Sequence, residues 1–276
     1  MNKNYIQTTD GTYLYYKDWG EGLPIIFLHG WPLSSDAFED QMLFLANQGF
    51  RTLAYDRRGH GRSSQPWEGH NMDQYAKDLA DFIEQLNLKD IILVGHSTGG
   101  GVAARYLKNY GTGLTKKLVL LASVTPLLIE RDDNPNGVSK TVFDDMRDQL
   151  LNNRSDFYLT FSKKFYGFNK LLTKTSEGLC QSFFMQAMQG SIKAHYDCIA
   201  AFSETDQRDD LKAIDIPTLV LYGDQDEIVP PEVSSLEAVK LLTHAQKIEI
   251  SGAPHGLCST HKDEVNQALH NFILNY

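Results

Sequence analysis

Long apolar runs are missing from this 276-residue chain. The longest, such as residues 118–122, cover a few positions, whereas a membrane-spanning helix needs roughly 20. The opening MNKNYIQTTDG is polar and lacks the apolar centre of a secretory signal. A soluble cytoplasmic protein is expected. Cysteine is scarce too: Cys180, Cys198 and Cys258 are odd in number and far apart, which argues against a disulfide framework or a CxxC metal or redox site. They read as small buried apolar residues. An excess of positive charge is also absent, since 26 basic residues face 35 acidic ones for a net charge of −9. No basic run compensates locally, so the footprint that a nucleic-acid backbone requires is missing. Neither nucleic acid nor a membrane is an expected partner, and no repeat or low-complexity segment suggests a solenoid or a linker.

What is present is enough apolar residue, 42%, to bury one large core with an accessory segment. Short apolar runs bounded by Gly, Pro or Asp recur at 25–28, 51–55, 91–94, 117–121, 218–222 and 247–250, and read as buried strands. Between several of them apolar residues repeat at helical spacing, as in Phe38, Met42 and Leu45, and in Tyr75, Leu79, Phe82, Ile83 and Leu86. Strand alternating with helix predicts a mainly parallel, doubly wound sheet of the α/β class. The alternation lapses at about 126–210, where turn-rich sequence gives way to helical patterns carrying Phe143, Phe157, Phe161, Phe165, Phe183, Phe184 and Phe202. This segment is expected to form a helical cap, leaving 1–125 and 211–276 as the core.

One junction carries chemistry. The strand at 91–94 runs into Gly95-His96-Ser97-Thr98-Gly99-Gly100-Gly101 and then into a helical sequence. This is the context of a G-x-S-x-G nucleophile elbow, where small neighbours let a serine occupy a strained turn with its hydroxyl exposed. The helix that starts there directs free N–H groups toward a developing oxyanion. Serine is a weak nucleophile at neutral pH and needs a base oriented by a carboxylate. His255, in the loop after the last strand, is the candidate base. Of the competing histidines, His96 is expected to point away from the serine and His29 ends an early strand. The carboxylate should follow the strand at 218–222, where Asp226 is preferred over Asp224; the latter suits an Asx-type turn, while Asp226 precedes the shielding Ile228 and Val229. The order Ser97, Asp226, His255 is that of the α/β-hydrolase fold. Two main-chain donors are expected to hold the oxyanion, Thr98 N–H and the amide of Trp31 in His29-Gly30-Trp31-Pro32, because Pro32 has none. Pro32 also restricts the Trp31 backbone and permits a cis bond.

With these motifs in place, the chain resembles the cofactor-free bacterial haloperoxidases of the α/β-hydrolase superfamily, also described as perhydrolases and aryl esterases. The resemblance rests on His29-Gly30-Trp31-Pro32-Leu33, the run from Tyr55 through Asp56-Arg57-Arg58-Gly59-His60-Gly61-Arg62 to Trp67, the Ser97 turn with Arg105-Tyr106, Asp226, and Pro254-His255-Gly256. It implies a Ser97, Asp226, His255 triad, oxyanion donors at Trp31 and Thr98, and neither metal, haem nor other cofactor. It also implies an apolar acyl pocket lined by Trp31, Val124, Phe161, Phe165, Phe202 and Ile228, taking short-chain or aryl esters. Water or hydrogen peroxide would be the acceptor, with peracid oxidising halide off the enzyme. The chain departs from the pattern at Val102, where the family carries glutamate. A haloalkane dehalogenase is excluded because it needs aspartate in place of Ser97. Lactone or amide hydrolysis, or a hydrolase-fold receptor for a small hydrophobic signal, would use the same constellation, and a homo-oligomer is compatible with the sequence.

Overall fold

A computed structural model describes residues 4–168 and 174–275. Eight strands form one sheet: β1 (Tyr5–Gln7), β2 (Tyr13–Trp19), β3 (Pro24–Leu28), β4 (Arg51–Tyr55), β5 (Ile91–His96), β6 (Thr115–Leu121), β7 (Thr218–Gly223) and β8 (Ala245–Ile250), in the order β1-β2-β4-β3-β5-β6-β7-β8. From β4 to β8 every neighbouring pair is parallel, whereas β1 and β2 are antiparallel to their neighbours. The six apolar runs seen in the sequence are the six parallel strands. β1 and β2 escaped that reading because they are an edge hairpin, and the alternating burial of Tyr-Leu-Tyr-Tyr-Lys-Asp-Trp gives no continuous apolar run.

Helices α1 (Glu39–Asn47), α2 (Met72–Gln85) and α3 (Thr98–Tyr110) follow strands of the first half, and α4 (Lys140–Phe165), α5 (Glu177–Gln189), α6 (Ile192–Glu204) and α7 (Arg208–Lys212) lie between β6 and β7. Helices α8 (Ser235–Leu241), α9 (Leu257–Thr260) and α10 (Lys262–Leu274) complete the chain. The two-residue period of the strands divides the core. Ile26, Leu28, Leu93 and Val220 pack with Tyr75 and Leu79 of α2, while Ile25, Phe27, Val94 and Leu219 pack with Met42 of α1 and Leu269 of α10. Helices therefore cover both faces, as a parallel sheet requires. The α2 start is capped by the Asn71 side chain, which accepts from Gln74 N at 3.0 Å.

The helical segment between β6 and β7 is tied to the core at several points, one of them beside α3. Gln207 N donates to Pro126 O at 2.9 Å, and its side-chain amide donates to Gly101 O in α3 at 2.7 Å. Arg105 of α3 adds a charge-assisted bond to Asp210 at 2.7 Å. Helix α4 is not straight; Asn153 leaves helical geometry at φ −157°, ψ 88°. The break lets Phe143 and Met146 before it, and Phe157 and Phe161 after it, face one cavity.

Candidate active site

Ser97 occupies the turn between β5 and α3 with φ 54°, ψ −121°, a left-handed conformation that costs a side-chain-bearing residue free energy. The turn closes only because the residues two positions to either side, Gly95 and Gly99, lack side chains. A Cβ on Gly95 would lie 2.5 Å from Gly100 N, and one on Gly99 would lie 1.9 Å from Leu28 O. The strain is held by the sheet, since Ser97 N donates to Leu121 O at 2.9 Å and Ser97 O accepts from Gly100 N at 3.0 Å.

The loops after β7 and β8 bring in the partners. His255 Nδ1 lies 2.6 Å from Asp226 Oδ2, and both side chains are 1% exposed. The other carboxylate oxygen, Oδ1, accepts from Ile228 N and Val229 N, each at 2.9 Å. Asp226 thus makes the Asx-type turn itself, with one oxygen left for the imidazole. Asp224 is exposed and turned elsewhere, accepting from Gly252 N at 2.6 Å. The anion is held by main-chain donors and hidden from water, so it can orient the ring and stabilise an imidazolium.

His96 has a different place from the one expected of a bystander. Its Nε2 donates to His255 O at 3.0 Å, and the two rings lie 4.8 Å apart. Burial, and then the proximity of His255, push its pKa down to about 3, so it stays neutral beside that ring. Phe165 packs on an adjacent side, its centroid 4.9 Å from that of His255 with the planes at 89° and 5.9 Å from that of His96, and its carbonyl accepts from Gly256 N at 2.9 Å. The expectation that Phe165 lines the acyl pocket is therefore corrected: it supports His255 from behind and does not line the cavity. Helical spacing could not separate it from Phe161, four residues earlier on the same helix.

Ser97, Thr98, Trp31 and His255 share the wall of a cavity of about 430 Å³ under the cap. Val124, Phe161, Phe202 and Ile228 line it as well, together with Leu128, Phe143, Met146 and Phe157. Phe143 and Phe157 stand in the sequence as cap aromatics, but only the bend in α4 turns them to this space. Among the described residues the amide N–H groups of Trp31 and Thr98 have no hydrogen-bond acceptor; at the start of α3 this is the orphan-donor condition of a helix N-terminus. The Trp31-Pro32 bond is cis. No group of three or more His, Cys, Asp or Glu side chains converges in a metal-holding arrangement among the described residues, and no described helix is long and apolar enough to cross a membrane.

Comparison with known proteins agrees with this architecture. Residues 24–262 match the model of the alpha/beta hydrolase fold family. The chain is 49% identical to a non-heme haloperoxidase of Rhodococcus erythropolis over 270 residues, 98% of each chain. It is 46% identical to a bifunctional esterase/perhydrolase of Acinetobacter calcoaceticus, covering 98% of this chain and 99% of the relative. Among solved structures, a bromoperoxidase from Bacillus anthracis superposes with a TM-score of 0.94 at 38% identity, covering 98% of this chain and 99% of the other. With fold, sequence and elbow in agreement along nearly the whole length, the chain belongs to the alpha/beta hydrolase fold family, in the group of the non-heme haloperoxidases and esterase/perhydrolases.

Proposed function

We propose that this protein is a serine hydrolase of short-chain or aryl carboxylic esters that also accepts hydrogen peroxide in place of water. The observation that carries the reading is the convergence, on one apolar cavity, of a strained serine, a buried histidine–carboxylate pair and two unengaged main-chain amides. Ser97 Oγ attacks the ester carbonyl while His255 takes its proton, and Asp226 stabilises the resulting imidazolium. The negative charge that develops on the carbonyl oxygen falls to the amides of Trp31 and Thr98, in a site shielded from water where such donors count most. His255 returns the proton to the departing alcohol, leaving Ser97 acylated. Water or hydrogen peroxide then attacks the acyl carbon, His255 again takes the proton, and Ser97 leaves with it, releasing acid or peracid. Peracid oxidises halide in solution, which needs no halide site on the protein.

The names of the relatives support this chemistry, and the largely apolar walls, with Asp145, Lys164 and Glu227 among the lining residues, fit an uncharged acyl group. In this reading residues 126–210 are the substrate-holding cap, no cofactor takes part, and the enzyme works in the cytoplasm. The test is direct: a fluorophosphonate should label Ser97, seen by mass spectrometry of the modified peptide, and aryl acetate hydrolysis and peracid formation should be lost together in Ser97→Ala. Hydrolysis that survives this substitution would refute the reading.

A further inference from the structure

Trp31 belongs to two parts of the molecule at once. Its main-chain amide stands at the Ser97 cavity, while its indole is tied to the cap: Nε1–H donates to the main-chain carbonyl of His195 in α6 at 3.0 Å. The His195 end is itself anchored, for its Nδ1 lies 2.6 Å from the hydroxyl of Tyr158 in α4. All three residues are buried, so an indole or hydroxyl that lost its partner would not regain one from water. The core side of the same loop is secured separately. Arg57 N donates to His29 Nε2 at 2.9 Å and the Arg57 guanidinium donates to His29 O. The segment from His29 to Trp31 is thus pinned by the sheet at one end and by the cap at the other. The acceptor of the cap-side bond is a backbone carbonyl, which moves only if α6 moves.

We propose that Tyr158 and the His195 carbonyl are positioning groups for the oxyanion donor: by holding the indole of Trp31 they set the direction of its main-chain N–H toward the substrate. This inference rests on the assignment of Ser97 and Trp31 given above. The seating of the cap is then felt at the reacting carbonyl without any cap side chain touching it. Because the charge on that oxygen is fully developed only in the transition state, a misdirected donor lowers kcat more than it raises KM.

Trp31→Phe keeps a ring and the main-chain amide but deletes the indole donor, and should lower kcat on an aryl ester by about tenfold to a hundredfold. KM should change little, and affinity for a boronic acid that forms a tetrahedral adduct with Ser97 should fall in parallel with kcat. Tyr158→Phe should give a smaller loss of the same kind, and should add no loss when Trp31 is already Phe. Benzothienylalanine at position 31, which replaces only the N–H by sulfur, should reproduce the Trp31→Phe loss and serves if that variant does not fold. A Tyr158→Phe loss that persists undiminished in the Trp31→Phe background overturns the proposal, as does a rise in KM with kcat intact. Fluorophosphonate labelling separates the two levels. An unlabelled Ser97 in the wild-type enzyme removes the underlying assignment, whereas a labelled Ser97 with kcat indifferent to the indole removes only this inference.

Discussion

The sheet and the cap hold their functional side chains in different ways. In the sheet, position comes from main-chain geometry: Ser97 is placed by bonds to Leu121 and Gly100, and Asp226 by the amides of Ile228 and Val229. In the cap, position comes from rings against rings, with Phe157, Phe161 and Phe202 all within 6.1 Å of the Trp31 ring, centroid to centroid. Directional hydrogen bonds fix an atom to within a few tenths of an ångström, whereas aromatic contacts tolerate sliding and repacking. A reacting atom needs the first kind of support and an acyl group of variable shape can use the second.

The contrast between sheet and cap is broken most severely by loss of the proposed nucleophile. Ser97→Ala should lower kcat by about 10⁴- to 10⁶-fold with the melting temperature maintained or raised, since the strained turn loses nothing it needs. Next, Asp226→Asn should cost about 10⁴-fold in kcat because the ring loses its orienting anion. Asp224→Asn, which touches only the Gly252 turn, should leave steady-state kinetics close to wild type. If the two asparagine variants behave alike, the carboxylate has been assigned to the wrong residue.

A third effect concerns the boundary between the two regions. His29, His60 and His195 form a buried ring cluster there, with centroids 5.3 and 4.5 Å apart. Burial above all holds their folded-state pKa values well below 6.5, and that of His96 near 3. The unfolded chain takes up these protons near 6.5, so between 6.5 and the folded values it binds more protons than the native state. Stability should therefore fall as pH drops below about 6.5, by up to about 1.4 kcal/mol per pH unit for each histidine. Urea unfolding at pH 5.5 and 8, with proton uptake followed by a pH indicator, checks the sign; no uptake at pH 5.5 would contradict it. The smallest effect lies inside the cap. Phe202→Ala should weaken kcat/KM for aryl esters by about 1–3 kcal/mol and shift preference toward bulkier acyl groups, read from an ester panel. A uniform loss of kcat across that panel would mean that the cap participates in the chemistry more widely than through Trp31.

The elbow was legible in the sequence because its constraints are local. Gly95 and Gly99 are required by contacts that a single Cβ would violate, and a strand-turn-helix leaves that requirement in five consecutive residues. The parallel strands β3 to β7 were legible for a related reason: buried on both faces, they are largely apolar, whereas β8 at the sheet edge shows only the alternation of Ile248 and Ile250 with exposed polar residues. β1 and β2 were not, because an edge hairpin obeys weaker rules. Neither did the sequence separate Phe161, which lines the cavity, from Phe165, which backs His255. They sit one turn apart on a helix whose bend at Asn153 has no Pro or Gly to announce it.

By itself, then, the sequence determined the fold class, the strained turn at Ser97 and the order in which Asp226 and His255 follow it, since each is written in short-range patterns of size and polarity. The tertiary structure alone decided that His96 and Phe165 pack against His255 and that the indole of Trp31 reaches His195. Those contacts join residues far apart along the chain, and no local pattern encodes the distance at which two loops and a cap helix come to rest.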